Sequence, residues 1–311
     1  MLAAVFDRQT GAPVCRKVPI PSLKPGEALV KARAASVSAG DVRLLRMGHL
    51  PDGKRLGSDI AGTVEAVGAG VRSLRPGDEV AGDLSGCGQG AFAEYAVAPE
   101  AVLVKKPASL PFELAAAMPV ASVAALQALR ACENPGPGKR VLVCGAGGGV
   151  GTFAVQLLKH LGAYVAAVCG PGNADLMRAL GADRVVDYTR EDFAQTCSNF
   201  DFVIAVNGSR PLSAYRRVLR RGGTAVIVGG PIKSILFALA FGPLLSLGGK
   251  KIRALVSKPD PADLATILNL AAEGKARPVI DRTYPLSEAA GAVRYAAGGH
   301  ARGKIVLRIA P

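Results

Sequence analysis

The sequence predicts an α/β protein with two domains: a mostly β domain with the strand spacing of a partly open barrel, and a doubly wound parallel sheet. Three observations predict it. Short apolar runs separated by turn signals fill the first third, a glycine-rich turn joins a strand to a helix within Lys139–Leu158, and strand and helix patterns alternate after that turn. The 311 residues are 50% hydrophobic and 20% charged, which suits two separate soluble cores.

The β domain is predicted from apolar runs that alternate with Pro-Gly turns. A strand, a helix and a further strand between Val279 and Ile309 return to this domain. We assign residues 1–118 and 260–311 to it. The runs that predict its first strands are 28–32, 60–67, 79–81 and 91–97.

The second domain is predicted over residues 119–259. An alanine-rich, helix-favouring stretch begins at Pro111 and is interrupted at Pro119, so we interpret it as the bridge between domains. The alternation that follows predicts a doubly wound parallel sheet. Its strand candidates are 141–144, 164–169, 184–186, 202–206 and 224–228.

The glycine-rich turn is the strongest functional signal. A buried strand at Val141–Cys144 runs into a glycine cluster and then into a helix, and Tyr164–Cys169 closes a βαβ unit. The spacing is G-x-x-G-x-x-G, which departs from the usual dinucleotide pattern. Backbone N–H groups at such a helix start suit a pyrophosphate. The turn residues predicted to bind a cofactor are Gly145, Gly147, Gly148, Gly149, Val150 and Gly151.

The choice between NADH and NADPH depends on the end of the second strand. NAD enzymes place an acid there to bind the ribose 2′-hydroxyl, and that charge repels the phosphate of NADP. Here Gly170 to Asn173 follow Cys169, with no acid before Asp175. NADPH is therefore permitted, and the hypothesis is that NADPH is preferred by a modest factor, with NADH possible. Gly170 and Asn173 are assigned to the cofactor.

The net charge of +14 leaves three partners open: nucleic acid, an anionic membrane or an anionic cofactor. Basic residues are spread along the chain and are not interleaved with aromatic residues, so a solvated surface is favoured over nucleic acid. Six scattered cysteines without a C-x-x-C pair indicate reduced thiols. No secretion signal is expected at the start, and a cytoplasmic location follows from both observations.

One apolar stretch, Ile235–Leu247, stands out. It is too short to span a bilayer and is broken at Gly242-Pro243. It suits a lipophilic acceptor, a partner subunit or a membrane surface, and the basic residues that follow keep a membrane contact through 235–253 open.

Six sequence blocks, in order along the chain, carry a family resemblance. They are ASVSAGDVRLLRMG, GSDIAGTVEAVGAGVRSLRPGDEV, GAFAEYAVAP, GGGVGTFAVQLLKHLGA, LGADRVVDYTREDF and HARGKIVL. These blocks resemble the medium-chain dehydrogenase/reductase superfamily, and within it the zinc-free quinone oxidoreductase branch that includes zeta-crystallin-like and reticulon-interacting-protein-like enzymes. The resemblance implies a GroES-like domain joined to a Rossmann domain, a homodimer, and reduction of quinones or other α,β-unsaturated carbonyls with NADPH.

The metal ligands of zinc-containing relatives are missing from these blocks. A serine, Ser38, stands in the block where those relatives carry a cysteine, and Gly57-Ser58-Asp59 replaces their G-H-E triplet. Cys87 is alone where a structural zinc lobe needs four thiolates. The prediction is that no metal is bound.

The resemblance also implies site residues. Ser38 stands where the branch usually carries an asparagine, and it is the one residue assigned to catalysis. For Lys304, an exposed lysine before a strand is the alternative to a cofactor role. The further residues implied for the cofactor are Arg178, Tyr188, Asn207, Gly229 and Lys304.

A second function remains open: a catalytically weak, NADPH-binding regulatory or nucleic-acid-binding protein of the same fold. The serine at position 38 and the glycines after Cys169 permit it. Salt-dependent nucleic-acid binding without quinone turnover would favour this alternative.

Overall fold

The computed structural model of the protein describes residues 1–206, 208–230 and 249–309. The chain divides into two compact units, one of Met1–Val123 with Lys258–Pro311 and one of Ala124–Ser257. The α/β fold class predicted from the sequence is confirmed. Asn207 and the apolar stretch 235–247 lie outside the described residues.

The strands of the described residues are numbered in chain order. They are β1 Leu2–Asp7, β2 Ala12–Lys17, β3 Glu27–Val37, β4 Asp59–Val67, β5 Glu79–Asp83, β6 Tyr95–Pro99, β7 Leu103–Lys105, β8 Arg140–Cys144, β9 Tyr164–Cys169, β10 Arg184–Asp187, β11 Phe200–Val206, β12 Leu219–Val228, β13 Lys251–Leu255, β14 Ile280–Pro285 and β15 Lys304–Arg308.

The helices are numbered in the same way. They are α1 Ala39–Met47, α2 Phe112–Ala116, α3 Pro119–Ala131, α4 Gly149–His160, α5 Ala174–Ala179, α6 Phe193–Thr196, α7 Leu212–Val218, α8 Pro261–Ala272 and α9 Ala289–Ala297. Pro119 is the first residue of α3, where a missing N–H costs no hydrogen bond. No helix among the described residues combines the length and the apolar character needed to cross a membrane.

The first unit is built on a mixed sheet with the order β14-β15-β3-β4-β5-β7, and β6 pairs with β3 beside this path. Strands β1 and β2 form a separate antiparallel hairpin. The predicted strand 91–97 is wrong in its first half, because the chain before Tyr95 makes only an isolated bridge, Ala3 with Ala93. Close packing also requires a glycine at position 57, because a Cβ there would stand 2.3 Å from the Phe92 ring.

The second unit is a six-stranded parallel sheet with the order β10-β9-β8-β11-β12-β13. In sequence terms this is 3-2-1-4-5-6, and the order reverses between β8 and β11. Ligands of such sheets bind at the carboxyl ends of the strands beside that reversal. The glycine-rich turn follows β8 and therefore lies at this place.

Candidate active site

The turn after β8 is shaped by Gly145. Its φ is +74°, and a Cβ there would stand 2.5 Å from the Val206 carbonyl oxygen, so only glycine fits. The amide of Gly145 donates to the Val168 carbonyl oxygen at 3.1 Å, which ties the turn to β9. Helix α4 then begins with Gly148 as its N-cap, and no side chain caps it. The N–H groups of its first turn are left for a ligand.

Two more glycines make room inside the turn. A Cβ on Gly151 would stand 2.3 Å from the Gly145 carbonyl oxygen, so this glycine allows α4 to pack on the turn. A Cβ on Gly147 would stand 2.5 Å from Asn173 Nδ2. The Oδ1 atom of Asn173 is buried and has no hydrogen-bond partner among the described residues. Backbone donors, glycine clearance and an unpartnered amide oxygen fit a dinucleotide phosphate and ribose.

An acid and an arginine lie near the end of β9. Asp187 at the end of β10 lies opposite Cys169, and its carboxylate accepts from the Thr189 amide at 2.9 Å, which holds the pKa of Asp187 below its usual range. Arg190 lies 3.8 Å from Asp187. An acid therefore lies beside the loop after Cys169. It is far from that loop in sequence, so nothing in the local sequence indicates it.

The remaining residues predicted to bind the cofactor lie on α5 or directly after a strand. Arg178 pairs with Asp175 at 2.7 Å on an exposed surface. Tyr188 is 60% exposed, and its hydroxyl would stand 2.9 Å from a Cβ on Gly170. Gly229 follows β12 with a φ of +69°. Asn207 lies outside the described residues.

A polar cluster in the first unit surrounds Ser38. This serine is the N-cap of α1 and forms a capping box with Asp41: the Ser38 hydroxyl and amide donate to Asp41 Oδ2 at 2.7 and 2.8 Å, and the Asp41 amide donates to Ser38 Oγ at 3.1 Å. The Ser58 hydroxyl donates to Asp41 Oδ1 at 2.8 Å. Burial raises the pKa of Asp41. The Ser38 proton is thus directed at Asp41, which bears on its predicted catalytic role.

Lys304 lies in the same unit and is buried, with 4% of its surface exposed. Its Nζ donates to the Val37 carbonyl oxygen at 3.0 Å and to Asp59 Oδ2 at 2.9 Å. The hydroxyl of Ser36 donates to the same Asp59 oxygen, and the Val120 amide donates to Asp59 Oδ1. The alternative of an exposed lysine is therefore wrong, and the cofactor role of Lys304 stays a prediction.

A third carboxyl, that of Asp83, lies near Asp41 and Asp59, and burial together with their negative charges raises its pKa. Burial raises the pKa of Asp83 to about 6, and the charge of Asp59 adds to the shift. Its Oδ1 accepts from the Ser85 amide at 2.8 Å. Asp41, Asp59 and Asp83 thus lie close enough to influence one another, with Lys304 as the cation bound to Asp59.

The fold and the glycine turn together define a dinucleotide-dependent oxidoreductase of the alcohol dehydrogenase type. Residues 24–108 match the family described as "Alcohol dehydrogenase GroES-like domain", and residues 180–307 match the family described as "Zinc-binding dehydrogenase". The chain belongs to the quinone oxidoreductase branch of the medium-chain dehydrogenase/reductase superfamily, as its sequence blocks predicted. It is an oxidoreductase that uses a nicotinamide cofactor.

Individual relatives agree with this assignment. The chain is similar to the chloroplast envelope quinone oxidoreductase homolog of Arabidopsis thaliana, with 36% identity over 94% of this chain and 92% of the relative. It is 33% identical to 2-methylene-furan-3-one reductase of Solanum lycopersicum over 94% of this chain and 74% of the relative. A solved quinone oxidoreductase from Coxiella burnetii superposes with a TM-score of 0.89 and 29% identity, covering 100% and 99% of the two chains.

The zinc ion implied by the second family description does not fit the residues present. Among the described residues, no three or more His, Cys, Asp or Glu side chains lie together in a way that could hold a metal ion. Asp59, in the triplet that carries a ligand in zinc relatives, instead binds the ammonium of Lys304. A cation already neutralises the one carboxylate of that triplet, so these residues do not form a zinc site.

Proposed function

We propose that this chain reduces quinones and other α,β-unsaturated carbonyls with NADPH and without zinc. The observation that carries the proposal is that the Asp59 carboxylate already accepts hydrogen bonds from Lys304, Ser36 and the Val120 amide. The glycine turn of the same chain fits a dinucleotide. Without a Lewis acid, hydride transfer favours acceptors that spread negative charge by conjugation. The printed names of relatives, a quinone oxidoreductase and a furanone reductase, support the same class of acceptor.

Different residues of this chain bind the cofactor and the substrate. NADPH, when bound, supplies the hydride. The free N–H groups at the start of α4 bind its pyrophosphate, and Asn173 offers a hydrogen-bond acceptor. Ser38 is assigned to hydrogen-bond the substrate oxygen. Its proton is held by Asp41, so protonation of this carboxyl, whose pKa burial raises, would release the serine proton for that role.

The test is NADPH oxidation with 9,10-phenanthrenequinone, 1,4-benzoquinone and a medium-chain enone, before and after dialysis against a chelator. Turnover that survives chelation supports the proposal, because no metal takes part. Loss of turnover on chelation, with recovery on adding zinc, would refute the zinc-free mechanism. Binding of NADPH without reduction of any acceptor would favour the regulatory alternative.

We propose a modest preference for NADPH over NADH. The loop Gly170-Pro171-Gly172 has no acid, which permits the 2′-phosphate, but Asp187 lies opposite Cys169 and opposes it. Arg178 is the cation available on α5, at present paired with the exposed Asp175. Fluorescence titration should give a lower dissociation constant for NADPH, and Arg178→Ala should weaken NADPH more than NADH. Tighter binding of NADH by the unmodified protein would refute the preference.

We propose that the protein is a homodimer and works in the cytoplasm. Strand β13 is at an edge of the parallel sheet, and Val256 directly after it is 61% exposed. Among the described residues β13 pairs with β12 alone, and an unpaired edge beside an exposed valine supports association with a second copy. The six cysteines are free thiols, as a reducing compartment would keep them. Light scattering after gel filtration should give the dimer mass, and a monomer mass would refute the homodimer.

A further inference from the structure

The parallel sheet has a second edge on which basic side chains collect. Its six strands are parallel, so their amino ends lie together at the edge opposite the glycine turn. Basic side chains concentrate there around the starts of β8, β12 and β13, which lie within roughly 15 Å at the usual strand spacing. We name this group the basic edge: Lys139, Arg217, Arg220, Arg221, Lys250 and Lys251.

Contacts hold the basic edge together. The Gly222 amide donates to the Gly249 carbonyl oxygen at 2.5 Å, which joins the chain after Arg221 to the chain before Lys250. Arg221 packs there, since a Cβ on Gly249 would stand 3.5 Å from its Cγ. Lys250 Nζ donates to the Arg216 carbonyl oxygen at 3.0 Å, which brings in the end of α7. The cations are therefore fixed in one place by the backbone.

The charge of the basic edge is only partly balanced. Asp201 is its internal carboxylate, and it accepts from Arg220 at 2.6 Å and lies 3.9 Å from Lys139. Arg217, Arg221 and Lys251 are exposed and form no ion pair within the part of the chain that the structure describes. Glu133, close enough to Lys251 to feel its charge, is paired with Arg253 at 2.7 Å. With that pair included, two carboxylates face seven cations, which leaves a positive surface that attracts a polyanion.

An exposed leucine beside the basic edge favours a lipid surface over nucleic acid. Leu161, after the end of α4, lies at the same edge and is 44% exposed. The aromatic rings at this edge are not free to stack on bases, because the Arg140 guanidinium covers Tyr164 at 4.3 Å and Phe200 at 5.3 Å. Cations beside an exposed leucine are the pattern of a membrane-surface contact.

We propose that the basic edge docks this protein on an anionic membrane surface. Docking there leaves the opposite edge of the sheet, with the glycine turn of the cofactor, facing away from the lipid. The inference goes beyond the proposed reaction and does not depend on it. It would hold the protein at the phase in which lipophilic quinones dissolve.

The experiment is co-sedimentation of the full chain with phosphatidylcholine vesicles, with and without phosphatidylserine, at low and high salt. We expect binding only to vesicles with phosphatidylserine, reduced by salt. The triple variant Arg217→Glu, Arg221→Glu, Lys251→Glu should bind at least about tenfold more weakly, from the usual contribution of each basic residue near an anionic surface.

The matched control is Arg8→Glu, Lys17→Glu, Lys24→Glu, three exposed residues of the first unit with the same change in net charge. It should keep most of the vesicle binding, and NADPH titration should show that both triple variants are folded. No binding of the unmodified chain to anionic vesicles overturns the proposal, as does equal loss in both triple variants. Tighter binding of an RNA homopolymer than of vesicles, lost in the same basic-edge variant, also overturns it and assigns the edge to nucleic acid.

Discussion

Lys304 Nζ lies 2.9 Å from Asp59 Oδ2, and both side chains are almost fully buried. The same ammonium binds the carbonyl of Val37, the residue before Ser38. The carboxylate of Asp41 in turn binds Ser38 and Ser58, and Ser58 is the residue before Asp59. One buried cation and one buried anion therefore hold the end of β3 and the start of β4 together. The position of Ser38 depends on both.

Replacing Lys304 should destabilise the protein strongly. Lys304→Met leaves Asp59 buried without its cation, and loss of one partner of a buried pair costs about 3–5 kcal/mol. Urea unfolding should measure this loss. The control is Arg308→Met, because the Arg308–Glu113 pair is exposed and such pairs contribute about 0–1 kcal/mol. Equal unfolding midpoints for the two variants would show that the Lys304–Asp59 pair does not hold the fold.

A comparison of Ser38→Ala with Ser58→Ala should show whether Ser38 takes part in catalysis or only positions Asp41. Both hydroxyls donate to Asp41, but only Ser38 caps a helix and is assigned to the substrate. Ser38→Ala should lower stability by about 0.5–2 kcal/mol through the lost cap. It should also lower kcat/KM for a quinone more than Ser58→Ala does, because Ser58 only orients the carboxylate. Equal kcat/KM values in the two variants would remove Ser38 from the catalytic role.

The parallel sheet could be predicted because its signals are local. The apolar run Tyr164–Cys169 forms β9 with the predicted bounds, and the glycine turn lies where its sequence placed it. Each of these depends on neighbours within a few residues, where periodicity and backbone preference are informative.

The rest could not be predicted because it depends on pairing between distant segments. The approach of Asp187 to Cys169 follows from the register of β10 on β9. The burial of Lys304 follows from β15 pairing with β3, whose neighbour β4 carries Asp59. A lysine next to a strand in sequence gives no sign of the carboxylate that will neutralise it.

Asp83 should make the protein less stable as pH rises from about 4 to 6. Its pKa is about 6 in the fold against about 3.9 for a free aspartate, so the protonated form favours folding at low pH and this contribution is lost as pH rises. Asp83→Asn keeps an acceptor for the Ser85 amide and should raise the free energy of unfolding at pH 7 by about 1–3 kcal/mol. Urea unfolding at several pH values measures it.

The matched control for Asp83 is Asp78→Asn. A hydrogen bond from Lys105 and one from the Arg75 amide lower the pKa of Asp78, so its ionised form stabilises the fold at neutral pH and that contribution is lost on acidification. Asp78→Asn should therefore lower stability at pH 7, opposite in sign to Asp83→Asn. The same sign for both variants would contradict the assignment of a raised pKa to Asp83.

Replacing Gly147 should weaken NADPH binding and change the stability of the fold little. In Gly147→Ala the new Cβ would stand 2.5 Å from Asn173 Nδ2, so the amide must move away from the turn and take its unpartnered oxygen with it. We expect the dissociation constant of NADPH to rise about tenfold, the value of one good hydrogen bond to a ligand. The urea midpoint should change little, because rotation of the Asn173 side chain about χ1 moves its Nδ2 and Cγ away and leaves only its Cβ, at a tight 3.1 Å. Gly136→Ala is the control, since its Cβ meets only the Leu161 carbonyl oxygen at an ordinary 3.5 Å. NADPH affinity that is unchanged in Gly147→Ala would mean that Asn173 does not contact the cofactor.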